Sequence, residues 1–127
     1  MLRVPTALLL HTTPDGCHYD WLIGTPEHGA DPEAGLWTAR VNHPSGTWRS
    51  LGRLDLTVID PHRSVYLDYQ GPISGGRGHV RRVDQGVAVI HLWRVGLVVL
   101  DIRMQHFQGR LEIGEVATKS WRARIIG

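Results

Sequence analysis

The chain has one cysteine, Cys17, and one lysine, Lys119. A single thiol excludes an internal disulfide framework and fits a reducing, cytoplasmic setting. Long apolar runs are absent as well. Near the start only Ala7-Leu8-Leu9-Leu10 precedes polar residues, too short for a signal-peptide core or a membrane span. No stretch of ten residues keeps a 3.6-residue apolar period, which argues against a helical fold. The chemistry-bearing signatures of several enzyme classes are also missing. There is no Gly-Lys-Ser/Thr of a phosphate-binding loop, no Gly-x-Ser-x-Gly elbow and no paired-cysteine zinc spacing.

What is present begins with arginine. Of fourteen basic residues all but Lys119 are Arg, and a planar guanidinium grips phosphate oxygens in pairs while keeping its charge when partly buried. The net charge of +2 and isoelectric point near 9.1 permit an acidic partner such as nucleic acid. The excess is too small for strong non-specific DNA binding. With 127 residues and 42% hydrophobic content, the chain reads as one globular domain, residues 1–127.

Short apolar or alternating runs recur about every ten residues, separated by Gly, Pro, Asp and Asn. They predict strands over 5–12, 18–24, 36–42, 52–60, 64–70, 78–84, 87–94, 97–104, 107–113 and 118–126. Alternation is clearest in Leu54-Asp55-Leu56-Thr57-Val58 and Leu100-Asp101-Ile102-Arg103-Met104. Residues 87–100 are mainly apolar, as in a strand buried on both faces or a hairpin bent at Gly96. The expected architecture is a mostly β, single antiparallel β-barrel with at most one or two short helices.

Four segments hold residues able to do chemistry. In His18-Tyr19-Asp20 the period of two puts His18 and Asp20 on one strand face and Tyr19 and Trp21 on the other. An imidazole beside a carboxylate is half of a divalent-cation site. His11 ends the preceding strand, and a hairpin turn at Thr13-Pro14-Asp15-Gly16 would bring it opposite His18. The segment His62 to Gln70 reads as a half-exposed strand, with His62, Tyr66, Asp68 and Gln70 on its polar side and Val65, Leu67 and Tyr69 on its apolar side. The Gly-rich run Gly71 to Gly78 reads as a hairpin connection whose N–H groups and Arg77 can meet a phosphate. Cys17 beside His18 lacks the supporting groups of a thiol nucleophile.

Taken in order, these pieces resemble the 3′-phosphoesterase domain of bacterial DNA ligase D over about 100 residues. The family's opening His, turn and His-Tyr/Trp-Asp strand is similar to His11 through Asp20-Trp21-Leu22-Ile23. Its Trp-led strand is matched by Leu36-Trp37-Thr38-Ala39-Arg40-Val41. Its His-Pro-x-x-Tyr-x-x-Phe-x-Gly stretch, reached through a strand rich in Arg and apolar residues, is similar to Arg53-Leu54 and onward to Asp60-Pro61-His62-Arg63-Ser64-Val65-Tyr66-Leu67-Asp68-Tyr69-Gln70-Gly71. Gly78-His79-Val80-Arg81-Arg82-Val83-Asp84-Gln85-Gly86 and Phe107-Gln108-Gly109-Arg110-Leu111-Glu112-Ile113 are similar to its last two motifs.

The resemblance implies a stand-alone metal-dependent phosphoesterase that removes 3′-phosphates and 3′-terminal ribonucleosides, with its residues lining a barrel pocket. His11, His18 and Asp20 would hold Mn²⁺, with Zn²⁺ as the alternative. His62 and Tyr66 would be catalytic, and Arg40, Arg53 and Arg77 would bind phosphate. The implied partners are 3′ ends of primer-template nucleic acid and the ligase or polymerase of an end-joining machinery, in a cytoplasmic, nucleoid-associated setting. Three departures stand out. His11 and His18 are one residue further apart than in the family, Leu22 replaces an Arg, and Arg40 sits one position short of an expected Lys. Two rival functions follow from the residues: a catalytically degenerate module binding nucleic-acid ends or a repair partner, and a non-haem Fe(II) oxygenase built on His18, Asp20 and His62.

Overall fold

A computed structural model describes the whole chain, Met1–Gly127. The alternating runs form nine strands: β1 (Leu2–Thr13), β2 (Gly16–Gly24), β3 (Leu36–Val41), β4 (Arg53–His62), β5 (Gly71–Pro72), β6 (His79–Arg94), β7 (Leu97–Met104), β8 (Gln108–Ala117) and β9 (Ser120–Ile125). All pair antiparallel in the order β1-β2-β3-β4-β9-β8-β7-β6, and β6 pairs back onto β1, closing an eight-stranded barrel. The short β5 lies along His79 and Val80 of β6. One four-residue helix, α1 (Trp48–Leu51), and three 3-10 turns complete the structure. The β-barrel with one short helix is the expected architecture.

Period-two alternation gives each strand an inner and an outer face. The inner faces fill the lumen with a core of Val4, Leu8, Trp21, Ile23, Leu100 and Ile102 among others. Trp48, carried by α1, stacks on Trp21 at 4.8 Å and on Phe107 at 5.4 Å. Trp21 in turn contacts Trp37 at 6.4 Å, and Trp37 contacts Trp121 at 5.8 Å. A line of five aromatic rings thus fills the lumen, and each buried ring contributes apolar burial plus about 0.5–1.5 kcal/mol of ring contact. The barrel interior is a packed core.

A second, smaller cluster lies on the outer wall. Leu9, Leu22, Leu36 and Val80 are buried there under Tyr66, Leu67, Tyr69 and Ile73 of the segment between β4 and β6. That cover creates the space in which the site forms.

Two expectations are corrected. Residues 64–70 are not a strand: Ser64–Leu67 is a 3-10 turn. The chain leaves the sheet after His62, no neighbour offers a ladder, and Tyr66, Leu67 and Tyr69 pack down onto the outer wall instead while Val65 stays exposed. The segments 78–84 and 87–94 are one 16-residue strand. Gly86 reads as punctuation, yet it marks a close backbone approach: a Cβ there would lie 1.8 Å from the Arg103 carbonyl oxygen. At Gly96 the hairpin reading holds, because β6 and β7 pair Arg94 with Leu97 across a two-residue turn, with Gly96 at φ 79°.

One buried carboxylate helps to hold the barrel. Asp84 is 3% exposed and accepts hydrogen bonds from Ser45 Oγ at 2.6 Å, the Gln85 and Gln105 N–H groups at 2.8 Å and the His106 N–H at 3.0 Å. Its charge is fully compensated by donors from the barrel and the segment before α1.

Candidate metal centre

The other buried carboxylate has no such compensation. Asp20 is 1% exposed. It sits on β2 opposite Leu9 of β1 and Arg40 of β3, on the outer face that also carries His18 and Leu22. The hairpin between β1 and β2 pairs His11 directly with His18, so strand period and turn together put three ligand types on one spot. Asp20 Oδ1 lies 3.3 Å from His18 Nε2, while Oδ2 lies 3.7 Å from His11 Nδ1 and 3.6 Å from His62 Nε2. These are ion-pair distances, and both Asp20 Oδ1 and His18 Nε2 are buried without a hydrogen-bond partner.

Burying a carboxylate without donors costs several kcal/mol, so the arrangement calls for a cation. His11, His18 and Asp20 each offer one ligand atom, and the three lie within 4.8 Å of one another. An ion about 2.1 Å from each of two such atoms holds them about 3.0–3.4 Å apart at ordinary coordination angles. The separations of His18 and His11 from Asp20, 3.3 and 3.7 Å, are therefore within a few tenths of an ångström of what a shared ion sets. Two imidazoles and one carboxylate suit a borderline divalent ion.

The protonation states agree with that role. Burial pushes the His18 imidazole below its ordinary pKa, Asp20 opposes the shift, and Arg40, His11 and His62 add to it. A neutral imidazole keeps the lone pair a metal requires. His11 Nε2 is 2.8 Å from the Arg77 carbonyl oxygen. A proton donated to that oxygen leaves Nδ1, the atom nearer Asp20, as the free lone pair, an orientation typical of metal-bound histidine. The Gly-rich run therefore contributes a backbone carbonyl to the centre. It closes tightly on β1, since a Cβ on Gly78 (φ 85°) would lie 1.8 Å from the Thr12 carbonyl oxygen.

The cluster floors a cavity of about 530 Å³ between barrel wall and cover. Arg40, Arg63 and Arg77 line it against Asp20 and Asp60. Positive charge modest over the whole chain is thus concentrated beside the buried cluster. His62 and Tyr66 line the same cavity, with their rings 5.4 Å apart. The 3-10 turn, rather than a strand, sets that contact. The His62 N–H is held by Thr38 Oγ1 at 3.1 Å, which fixes the backbone where it leaves the sheet. The Arg77 side chain is oriented by Ser74, whose carbonyl oxygen accepts from Nε at 2.7 Å.

Of the residues singled out in the sequence, the structure gathers His11, His18, Asp20, Arg40, His62, Tyr66 and Arg77 here. Arg53 is not among them. It opens β4 opposite Arg124, four residues before the Thr57 that faces Arg40, or about 13 Å along the strand. An Arg before an apolar strand carries no sign of which end of the barrel it occupies. Arg63 and Asp60 line the cavity without having been anticipated. Both flank His62, and Arg63 stacks over Tyr66 with its guanidinium carbon 5.8 Å from the ring centre. Leu22, where the resemblance calls for Arg, is fully buried in the outer cluster, so the arginines of this cavity come from other positions. No family model matches the chain, and no curated protein matches it either.

Proposed function

We propose that the chain is a metal-dependent phosphoesterase acting on 3′ ends of nucleic acid, removing a 3′-phosphate or a 3′-terminal ribonucleoside. The observation that carries this reading is Asp20, a buried carboxylate without hydrogen-bond donors, set among three histidines beneath an arginine-lined cavity. Mn²⁺, or Zn²⁺, bound by His11, His18 and Asp20 would supply a Lewis acid for a phosphoryl oxygen and a water of lowered pKa.

The chain's own groups account for the rest. Arg40, Arg63 and Arg77 bind phosphate oxygens and offset charge that builds up during transfer, the task for which a planar fork is suited. His62 has Nδ1 3.4 Å from the Asp60 carbonyl oxygen, which leaves Nε2 facing the cavity to hold or deliver a proton at the leaving oxygen. Tyr66 buttresses that imidazole and adds a hydroxyl to the phosphate site. The cover keeps Asp20 from bulk water, so each of these charges acts in a medium of reduced dielectric. The resemblance to the ligase D phosphoesterase domain supports the choice of a nucleic-acid 3′ end over other phosphoesters. It also suggests the ligase or polymerase of end joining as partners.

The test is a single gel: purified protein with Mn²⁺, and separately with EDTA, on a 5′-labelled primer ending in a 3′-phosphate. Expected is metal-dependent conversion to a 3′-hydroxyl end. Absence of conversion on 3′-phosphate and 3′-ribonucleotide primers, with metal-dependent binding retained, would favour a second reading. In that reading the chain is an end-binding module without turnover, and Leu22 in place of a guanidinium is the observation behind it.

A further inference from the structure

The cavity over Asp20 does not end at Tyr66. A second cavity of about 360 Å³ shares Arg63, Tyr66, Ile73 and Arg77 with the first and is formed within the cover itself. Its remaining walls include Val65, Tyr69 and Pro72. The two rooms thus meet at a ridge carrying two guanidinium groups, one of which lies over an aromatic ring.

The chemistry of the second room is unlike that of the first. Two of its polar side chains are already engaged: the Tyr69 hydroxyl donates to the Pro72 carbonyl oxygen, and Ser74 Oγ accepts from Arg77. What remains for a guest is mainly aromatic and aliphatic surface, guanidinium planes and the single Tyr66 hydroxyl at the ridge. A free sugar would find few hydroxyl partners, whereas a flat heteroaromatic ring would find faces to stack on. The walls are also fixed in place. Tyr69 packs edge-on against Tyr66 at 5.9 Å, and at Gly71 (φ 140°) an added Cβ would come within 3.1 Å of the Tyr69 hydroxyl.

We infer that this second room receives the base of the terminal nucleotide whose 3′-phosphate lies over Asp20. The inference rests on the phosphate reading of the first cavity. Arg63 and Arg77 then serve both rooms, gripping the phosphate while presenting planar surface to the base. A base can enter only after leaving the duplex stack, so the preferred substrate is an unpaired or frayed 3′ end.

The test uses fluorescein-labelled duplexes ending in a 3′-methylenephosphonate, which carries no cleavable P–O ester bond, with Mn²⁺ or EDTA. Three ends are compared by anisotropy: an unpaired terminal thymidine, an abasic residue at that position, and a paired terminal thymidine. Expected is Mn²⁺-dependent binding of all three, with the unpaired thymidine about tenfold tighter than the other two. Tyr69→Ala should erase that advantage and leave the abasic end unaffected. Val65→Glu places a charge at a half-exposed rim position, 50% exposed, and should do the same without touching the core. Equal affinity of wild type for the thymidine and abasic ends, or a full advantage retained in Val65→Glu, would overturn the inference while leaving the metal site intact. Equal binding in Mn²⁺ and EDTA would remove the phosphate reading and this inference with it.

Discussion

Replacing Asp20 with Asn should raise stability in one buffer and lower it in another. In chelator the wild-type protein buries a carboxylate that is 1% exposed and whose Oδ1 has no hydrogen-bond partner. An unsatisfied buried group costs about 1–3 kcal/mol, more when charged. The amide keeps the size, removes the charge and can donate to His18 Nε2, itself without a partner. A gain of about 2 kcal/mol is expected, and at about 4 °C per kcal/mol for a domain of this size the variant should melt about 8 °C higher than wild type in EDTA. Mn²⁺ at about a hundred times its Kd stabilises the wild type by about 2.7 kcal/mol, or about 11 °C, through binding to the native state alone. The variant, lacking the anionic ligand, should barely respond. The two melting curves therefore exchange order between EDTA and Mn²⁺ in scanning calorimetry at pH 8. A variant that melts below wild type in EDTA, or that keeps the Mn²⁺ shift, would refute the assignment of Asp20 as a carboxylate awaiting a cation.

Asp84→Asn makes the opposite prediction. Four donors converge on that carboxylate, so the amide NH₂ would face donors, and denaturant unfolding should show a loss of about 3 kcal/mol with or without metal. Gly78→Ala should push the Gly-rich run off β1 and withdraw the Arg77 carbonyl from His11, weakening Mn²⁺ affinity about 10–100-fold by calorimetric titration. Arg77→Ala keeps that carbonyl and should leave the affinity nearly unchanged. Asp101 has its pKa lowered from 3.8 to about 2, chiefly by the Arg110 hydrogen bond, with His91 assisting. Its pair contributes stability above about pH 4 that is lost as pH falls toward 2. In Asp101→Asn that part of the acid limb, on the order of 1 kcal/mol at this partly exposed position, should be missing from urea melts between pH 4 and 2.

The metal cluster was legible because its information is local. A two-residue period on β2 and a short hairpin suffice to bring His11, His18 and Asp20 together, and neither depends on the rest of the barrel. His62 and Tyr66 were paired correctly on an incorrect basis. Alternation suggested a strand, whereas a 3-10 turn performs the juxtaposition, because nothing local to Ser64–Leu67 reveals that no neighbouring strand awaits it. Arg53 failed for the complementary reason. Its distance from the site follows from the order in which distant strands close the barrel, which no short motif encodes. Nor does alternation say which of two faces becomes the lumen. The resemblance implied a pocket of the barrel, while the site lies on its outer wall beneath residues 63–78.

That outer placement makes β2 a text read in two frames. Tyr19, Trp21 and Ile23 address the lumen, while His18, Asp20 and Leu22, interleaved with them, address the outer wall. A slip of one residue against β1 would exchange the two sets, driving Asp20 into the hydrocarbon interior and Trp21 into solvent. Loss of the lumen contacts of Trp21 alone would cost several kcal/mol, enough to depopulate any slipped pairing. The folding core thereby proofreads the ligand geometry, although no ligand touches it. A single-residue insertion within β2 should accordingly abolish the fold outright. The same insertion in the Thr13–Gly16 turn should leave a folded barrel in which His11 and His18 still face one another.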